Sequence, residues 1–307
     1  MKLFNTGGTM QSNSSAKIRL ILSMTIFGTI GIFRNYIDLP SSFIAMARGI
    51  VGMLFLLFVI LVIKRNKINF TAIKKNLVPL LLSGVFIGIN WILLFEAYRH
   101  TTVSTATLCY YMAPVFVILL SPIIFKERFT LKKSLCALAA VVGMFTISGI
   151  FGDASSNITG ILLGIGAAVF YASVILLNKF IKDIEDEEKT MVQLGAAGIS
   201  ILPYVLITEN MATLSPDTTS LILLLTVSIL HTGVAYSLYF GSVGRLKVQT
   251  TAIFSYIDPV VALILSGLIL KEDFTILHLI GSVLILGSAF ISEMPSKKDL
   301  KEKQKNY

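Results

Sequence analysis

Charged residues are scarce in this chain: Asp, Glu, Lys and Arg make up 14% of its 307 residues, against about a quarter in soluble proteins. Hydrophobic residues make up 55%, and the mean hydropathy is +0.81. This balance excludes an ordinary soluble protein and indicates a membrane protein. The net charge of +9 does not indicate a nucleic-acid partner, because the Lys and Arg residues lie between apolar runs and in the C-terminal tail.

Cysteine and catalytic motifs are equally scarce. The two cysteines, Cys109 and Cys136, lie inside apolar runs at a spacing that fits no metal site, so both are interpreted as packing residues. The sequence contains no G-x-x-x-x-G-K-[ST], H-E-x-x-H or G-x-S-x-G motif. An intramembrane hydrolase built on His231 and Asp258 would lack a third metal ligand and an evident activated serine. We therefore expect no enzyme, no metal and no cofactor.

Long apolar runs dominate what is present. A hydrocarbon core of about 30 Å takes roughly 20 apolar residues of helix, and the chain offers ten such runs between short polar segments. The first run follows a polar tail and lacks a small-residue cleavage site, so it is predicted to be a retained span. The predicted spans are 18–34, 43–63, 77–98, 103–125, 133–151, 160–178, 191–208, 220–243, 249–270 and 276–293.

The positive residues are distributed asymmetrically about these spans. Of the 26 Lys and Arg residues, 22 fall in the two tails and in alternate loops. Arg34, Arg99 and Lys271 fall on the opposite side, and Arg48 falls within a span. Because positive residues concentrate on the cytoplasmic side of a membrane, both termini are predicted to be cytoplasmic. The predicted location is the inner membrane of a bacterium.

The chain also repeats itself. A shift of 145 residues aligns "VSTATLCYYMAPVFVILLSPIIFKERFT" (103–130) with "VQTTAIFSYIDPVVALILSGLILKEDFT" (248–275), and 12 of the 28 positions are identical. Each half holds five spans, an odd number, so the second half is predicted to be inverted relative to the first. Inverted repeats are typical of secondary transporters, which bind substrate near the midplane where the repeats meet.

These paired segments carry a family resemblance. With a proline midway along the fourth helix of each half and an acidic residue at the turn into the fifth, the chain resembles the ten-helix EamA-type members of the drug/metabolite transporter superfamily. The resemblance implies a helical bundle around a central cavity, alternating access, and transport of small metabolites, often amino acids or related compounds. The predicted organisation is a cytoplasmic tail, two five-helix repeats and a basic cytoplasmic tail, over 1–16, 17–151, 152–293 and 294–307.

An Asp-Pro pair stands in the middle of the ninth run. Asp258 lies near the bilayer centre, where a carboxylate costs at least a few kcal/mol, so it should face a cavity or a partner. It could exchange a proton or bind a cationic group of the substrate; alternatively, it could bond the backbone groups that Pro259 leaves free. The first half has Ala113 in its place, while Pro114 and Pro259 predict a helix bend in both halves.

Three other polar residues are predicted to lie within the membrane. His231 lies at a depth similar to that of Asp258, and it could relay protons with Asp258 or simply bond within a helix interface. Arg48 could bind an anionic group of the substrate or pair with Glu96, and we favour the ion pair. Asn90 could line the cavity or tie helices together.

Aromatic residues recur at matching depths of the two halves. Trp91 and Tyr236 occupy equivalent positions, with Tyr239 near the second and Tyr111 beside the bend at Pro114. Rings with a polar tip suit a cavity for an amphipathic metabolite, although packing between helices is the commoner role of such residues. The candidate substrate or proton site therefore combines Asp258, His231, Trp91, Tyr236, Tyr239, Tyr111, Asn90 and Arg48.

Some recurring residues are interpreted as structural. Glycines at four-residue spacing, such as Gly84 with Gly88 and Gly160 with Gly164, should allow close helix contacts. Glu127 and Glu272 are interpreted as residues that stabilise the start of the fifth helix of each half. The acidic stretch "KDIEDEEK" at 182–189 is interpreted as a solvated linker between the repeats.

The sequence thus predicts a secondary active transporter that moves a small metabolite through the lipid bilayer, with export and proton coupling favoured. The alternative is a membrane sensor or assembly subunit that keeps the transporter fold without transporting. A passive channel would differ from both by flux that neither saturates nor concentrates. Substrate identity, coupling ion and oligomeric state stay open at this stage.

Overall fold

The computed structural model describes residues 6–125, 131–147, 158–210, 214, 216–243, 246 and 254–294. Throughout these ranges every regular element is helical. The helices are α1 (Thr6–Gly28), α2 (Ile30–Asn35), α3 (Ser41–Phe58), α4 (Phe70–Lys75), α5 (Leu77–His100), α6 (Val103–Tyr110), α7 (Ala113–Phe125), α8 (Leu131–Ile147), α9 (Ile158–Asn178), α10 (Asp186–Thr208), α11 (Thr218–Thr226), α12 (Ala235–Val243), α13 (Ile257–Ile269) and α14 (Ile276–Glu293). The π-helical segment Val59–Ile63 continues α3, and a second one, Val227–Val234, joins α11 to α12.

Six helical stretches among the described residues are long and apolar enough to cross a membrane, with 21 to 24 residues each. They are Ser14–Asn35, Ser41–Ile63, Leu77–His100, Ile158–Asn178, Asp186–Thr208 and Thr218–Tyr239. Four shorter apolar stretches are Val103–Val117, Ser134–Thr146, Ile257–Ile269 and Ile276–Ile291. Each predicted run overlaps one of these ten stretches, and parts of the predicted runs 133–151 and 249–270 lie outside the described residues. Ten full spans in two inverted repeats stay a prediction.

The distribution of side chains is inverted relative to a soluble protein. Large apolar side chains such as Val78, Ile123 and Ile207 are at least three-quarters exposed. Small polar side chains are instead enclosed, including Ser23, Ser83 and Ser228 at 0% exposure. This arrangement suits a lipid environment, because polar groups must find partners inside the bundle while apolar groups face the hydrocarbon.

The two halves of the chain pack tightly against each other. Helix α5 packs on α9 and α10, α3 on α10, and α1 on α12 and α13. Glycine makes the closest contacts possible: a β-carbon at Gly84 would lie 2.5 Å from Cβ of Ala196, and one at Gly164 would lie 2.7 Å from Cβ of Cys109. The predicted close contacts at these glycines are confirmed, and Cys109 is a buried packing residue.

Both prolines of the repeated motif stand in the first turn of a helix. Helix α6 ends at Tyr110 and α7 begins at Ala113, one residue before Pro114. Helix α13 begins at Ile257, two residues before Pro259. A proline is tolerated there because the first amides of a helix have no intrahelical acceptor. Each half therefore carries an interrupted helix at the same position of the repeat.

Candidate functional site

The two interrupted helices meet through one side-chain hydrogen bond. The phenol of Tyr111, in the break between α6 and α7, donates to Oδ2 of Asp258 at 2.8 Å. Asp258 stands in the first turn of α13, so the bond joins a tyrosine of the first half to a carboxylate of the second half. A hydrogen bond to a carboxylate is among the stronger kinds in proteins. Asp258 therefore has a specific partner across the interface between the halves.

Helix α1 passes directly against the backbone of this site. A β-carbon at Gly28 would lie 2.6 Å from the carbonyl oxygen of Asp258 and 2.7 Å from Cβ of Val261. Only glycine permits so close an approach without displacing α13. Gly28 was not predictable as part of the site, because nothing in "TIFGTIGIF" distinguishes it from a glycine that packs on lipid.

Aromatic rings surround the bond between Tyr111 and Asp258. The Tyr110 ring packs edge-on against Tyr111 at 5.9 Å between centroids and lies 5.1 Å from the ring of Tyr171. Tyr236 packs edge-on against Phe27 at 5.2 Å. Tyr239 lies close enough to Tyr171 to interact with it electrostatically. Tyr171 was missed in the sequence because it falls outside the repeated segment.

Arg48 contacts two further aromatic rings. Its guanidinium carbon stands 4.2 Å from the ring centre of Trp91 and 5.1 Å from that of Phe95. Its Nε donates to Oγ1 of Thr232 at 3.1 Å, and the side chain is 3% exposed. Tyr98 and Tyr236 interact electrostatically with both Arg48 and Asp258. Arg48 and Asp258 thus share two tyrosines as electrostatic neighbours.

The favoured ion pair between Arg48 and Glu96 is wrong. Glu96 pairs with Arg99, one turn away on the same helix, at 3.2 Å, and its side chain is partly exposed. Arg48 points instead towards Trp91 and Thr232. The sequence indicates how deep Arg48 and Glu96 lie in the membrane. It does not indicate how each helix is rotated about its axis, and that rotation decides which side chains contact each other.

His231 is fully enclosed but does not contact Asp258. Its Nε2 lies 2.7 Å from Oγ1 of Thr29, and its ring packs edge-on against Phe33 at 4.9 Å. In the described part of the chain no hydrogen bond joins His231 to Asp258. Thr29 follows Gly28, the residue that abuts the Asp258 backbone, so His231 bonds to the residue next to that contact. A direct proton relay between them has no geometric support.

Asn90 links two helices of opposite halves. Its Nδ2 donates to the backbone carbonyl of Ala167 at 2.6 Å, and the side chain is enclosed at 2% exposure. This bond joins α5 to α9, one of the main contacts between the halves. The geometry favours the helix-tying alternative for Asn90 over a place in the cavity wall.

Glu272 stabilises a helix of the other half and not its own, so its predicted role is wrong. Its carboxylate accepts from the backbone amides of Val103 and Ser104 at 2.6 and 3.1 Å, and from Oγ of Ser104 at 2.6 Å. It thus caps the start of α6. The start of α14 is capped by Thr275, whose hydroxyl accepts from the amide of His278 at 3.2 Å. Glu127, the equivalent of Glu272, lies outside the described residues.

The acidic linker is docked rather than fully solvated. Glu188 is buried and accepts from the amide of Asn69 at 2.9 Å, while Glu187 pairs with Lys64 at 2.5 Å. The amide of Lys182 donates to Oδ1 of Asn76 at 3.1 Å. A cavity of about 580 Å³ lies here, between the linker and the segment after α3, and not at Asp258. A central cavity stays a prediction.

The sequence of the whole chain matches one family model twice. The model is that of the EamA-like transporter family, and it matches residues 15–149 and again residues 158–294. The chain belongs to the EamA-like transporter family. It is accordingly an integral membrane protein of a transporter family, which accounts for its apolar helices.

Individual relatives agree with this assignment. An uncharacterized transporter of Bacillus subtilis, YxxF, is 32% identical over 258 residues, which cover 83% of this chain and 82% of the relative. A protein of Salmonella typhimurium named "Probable amino-acid metabolite efflux pump" is 27% identical over 58% of this chain and 62% of its own length. A solved crystal structure has the same fold, with a TM-score of 0.63 over 91% of this chain and 96% of the other at 18% identity.

Proposed function

We propose that this member of the family is a secondary active transporter that exports a small metabolite, an amino acid or a related compound, by alternating access. Ten spans would form two inverted repeats over 17–151 and 152–293, with both termini in the cytoplasm. The observation that carries the proposal is the bond between Tyr111 and Asp258, which joins the interrupted helices of the two halves at 2.8 Å.

Interrupted helices suit alternating access. A break frees the backbone from the regular helical ladder, so the segments on either side can change their angle. In secondary transporters one repeat moves against the other about a site at the repeat interface, where interrupted helices meet. The breaks at Tyr111 and at Tyr256 occupy equivalent positions of the two halves. A side-chain bond between such breaks would have to change whenever the halves move apart.

Asp258 supports proton coupling. An ionised carboxylate is a strong acceptor for the phenol of Tyr111, whereas a protonated carboxyl is a weaker one. Proton binding would therefore weaken the contact between the halves, and proton release would restore it. Proton coupling of this kind requires that the carboxyl of Asp258 contacts water in one state of the transport cycle. Asp258 is only partly buried, which is compatible with such access.

The proposed substrate class rests on the aromatic cluster and on the relatives. Tyr110, Tyr111, Tyr236 and Trp91 provide ring faces with polar tips, which suit an amphipathic metabolite. The name of the Salmonella protein describes efflux of amino-acid metabolites. Export of compounds of this kind is the simplest function consistent with both.

The test is resistance of a sensitive bacterial host to a panel of toxic amino-acid and metabolite analogues. Wild type, Asp258→Asn and an empty vector are compared at matched membrane expression. Asp273→Asn is the control, because Asp273 is an exposed carboxylate in the loop before α14. We expect wild type and Asp273→Asn to confer resistance to the same analogues and Asp258→Asn to confer much weaker resistance. Full resistance with Asp258→Asn would remove the proposed role of the carboxyl, and no resistance with wild type would contradict export.

A further inference from the structure

Arg48 is a buried cation with an incomplete set of partners. Its Nε bonds Thr232, but its two terminal nitrogens make no hydrogen bond or ion pair with any residue that the structure describes. The side chain is 3% exposed. A guanidinium in the membrane interior is costly unless it is paired. The two terminal nitrogens of Arg48 are therefore available to donate to a bound anion.

Arg34 shows what a structural arginine looks like in the same protein. It is nearly as buried as Arg48, at 5% exposure, yet its Nη1 donates to the carbonyl of Ile37 at 2.9 Å. Its Nη2 donates to Oγ of Ser41 at 3.0 Å. Both terminal nitrogens of Arg34 thus donate to residues that follow it closely in the sequence, whereas those of Arg48 donate to no residue that the structure describes. Burial alone does not explain the difference.

The surroundings of Arg48 fix its orientation. Trp91 and Phe95 contact the guanidinium through their rings, a cation–π arrangement that holds the plane without using its N–H groups. The hydroxyl of Thr232 accepts a hydrogen bond from Nε of Arg48. The remaining edge presents two parallel donors, the geometry that matches a carboxylate. Its electrostatic neighbours are Tyr98, Tyr110 and Tyr236.

We propose that Arg48 binds a carboxylate group of the transported metabolite. The inference rests on the proposed function and deepens it, because it restricts the substrate to small organic acids and zwitterions whose body packs among Trp91 and the tyrosines. One guanidinium suits a singly charged carboxylate better than a phosphate, since the other electrostatic neighbours are tyrosines and His231. Asp258, which shares Tyr98 and Tyr236 with Arg48 as electrostatic neighbours, would favour a cationic group at the other end of a zwitterion.

Trp91 provides a direct measurement, because it is the only tryptophan in the chain and it touches Arg48. The purified protein in detergent is titrated while its tryptophan emission is followed. The probes contain no indole and are phenylalanine, leucine, glutamate and 3-phenylpropionate, with phenylalanine methyl ester, phenethylamine and inorganic phosphate as comparisons. We expect a saturable change with one or more carboxylates. The matching ester, amine and phosphate should bind at least about tenfold more weakly, the effect of losing one charge-assisted bond.

Variants then assign the effect to Arg48. Arg48→Gln should weaken carboxylate binding about tenfold or more while leaving amine and ester binding unchanged, and Arg48→Lys should recover part of the loss, since it keeps the charge without the fork. Size-exclusion behaviour like that of the wild type shows that each variant is folded. If Arg48→Gln does not fold, the comparison of acid binding with ester binding by the wild type tests the inference instead. Equal binding of acid and ester, or no response to any carboxylate, would overturn the inference.

The outcome is separable from that for the proposed function. Carboxylate binding that depends on Arg48, without resistance or transport by the wild type, would support the inference and contradict export. Resistance with the wild type together with equal binding of acids and esters would support export and overturn the role of Arg48.

Discussion

The two helix breaks are built from matching residues but hold different contacts. In the first half Tyr111 precedes Ala113 and Pro114; in the second half Tyr256 precedes Asp258 and Pro259. Tyr111 reaches across to the carboxylate of Asp258, whereas the ring of Tyr256 packs edge-on against Phe290 at 5.7 Å. Duplication therefore explains the common break, and one divergent residue supplies the titratable group that only the second half has.

A second contact between the halves lies at the start of α6. The start of α6 is capped by Glu272 from the other half, in addition to Thr102 from its own chain neighbourhood. The two halves are thus joined at both ends of α6, by Glu272 at its start and by Asp258 just beyond its end. A rearrangement of one half against the other would have to change at least one of these two contacts.

The strongest way to break the comparison is to give the first half a carboxylate too. Ala113 is 1% exposed, so Ala113→Asp should destabilise the protein by about 3–5 kcal/mol, the cost of an uncompensated buried charge. The measurement is the midpoint of thermal unfolding in detergent, with Ala113→Val as the control for added volume. An unchanged midpoint in Ala113→Asp would show that the two breaks are chemically equivalent.

The tyrosines sharpen the comparison. Tyr111→Phe removes the donor to Asp258 and should cost about 1.5–3 kcal/mol, as expected for a bond to a charged group. The control is Tyr36→Phe, which should cost less because the Tyr36 side chain is 54% exposed. Chemical denaturation of the two variants under identical conditions compares them. Equal losses would mean that the bond to Asp258 contributes nothing particular.

Gly28 tests how closely α1 must approach the second break. A β-carbon there would lie 2.6 Å from the Asp258 carbonyl, so Gly28→Ala should displace α13 and cost about 1–3 kcal/mol. A β-carbon at Gly287 in α14 would meet nothing within 4 Å, so Gly287→Ala is the matched control and should be neutral or slightly stabilising. Equal thermal midpoints for the two variants would rule out the close approach of α1.

Glu272→Gln should have the smallest effect. The single amide oxygen can still accept from one of the two backbone amides at the start of α6, but the second acceptor and the negative charge that favours a helix N-terminus are lost, a loss of about 1–2 kcal/mol. Asp273→Asn, a neighbouring exposed carboxylate, controls for the change in net charge. Thermal midpoints that fall equally in both variants would indicate a general charge effect rather than a cap across the halves.

Much of the fold was predictable because it depends on short-range patterns. Apolar length places the helices, and the duplicated segments reveal equivalent positions in the two halves. Proline in both copies predicted a helix bend at Pro114 and Pro259, since its ring and missing amide act locally, and the structure has a helix start at each of them. Family membership followed from the same segments and is confirmed by the match over both halves.

The contacts of the site were not predictable in the same way. Periodicity gives the depth of a residue in the membrane but not the rotation of its helix relative to distant helices, which tertiary packing decides. For that reason Arg48 was assigned to Glu96 and not to Trp91, and Glu272 was assigned to its own helix and not to α6. The contact of Glu188 with the amide of Asn69 was missed. A run of charged residues indicates a solvated segment only when the fold places no hydrogen-bond partner next to it.

The most direct measurement of the central claim is a double-mutant cycle on export with Asp258→Asn, Tyr111→Phe and the combined variant, at matched expression and with the substrate that the resistance panel identifies. If the carboxyl and the phenol act as one contact between the halves, the combined variant should export no more slowly than Asp258→Asn alone. Independent, additive losses from the two substitutions would contradict the account, because they would show that the bond between the two helix breaks has no part in transport.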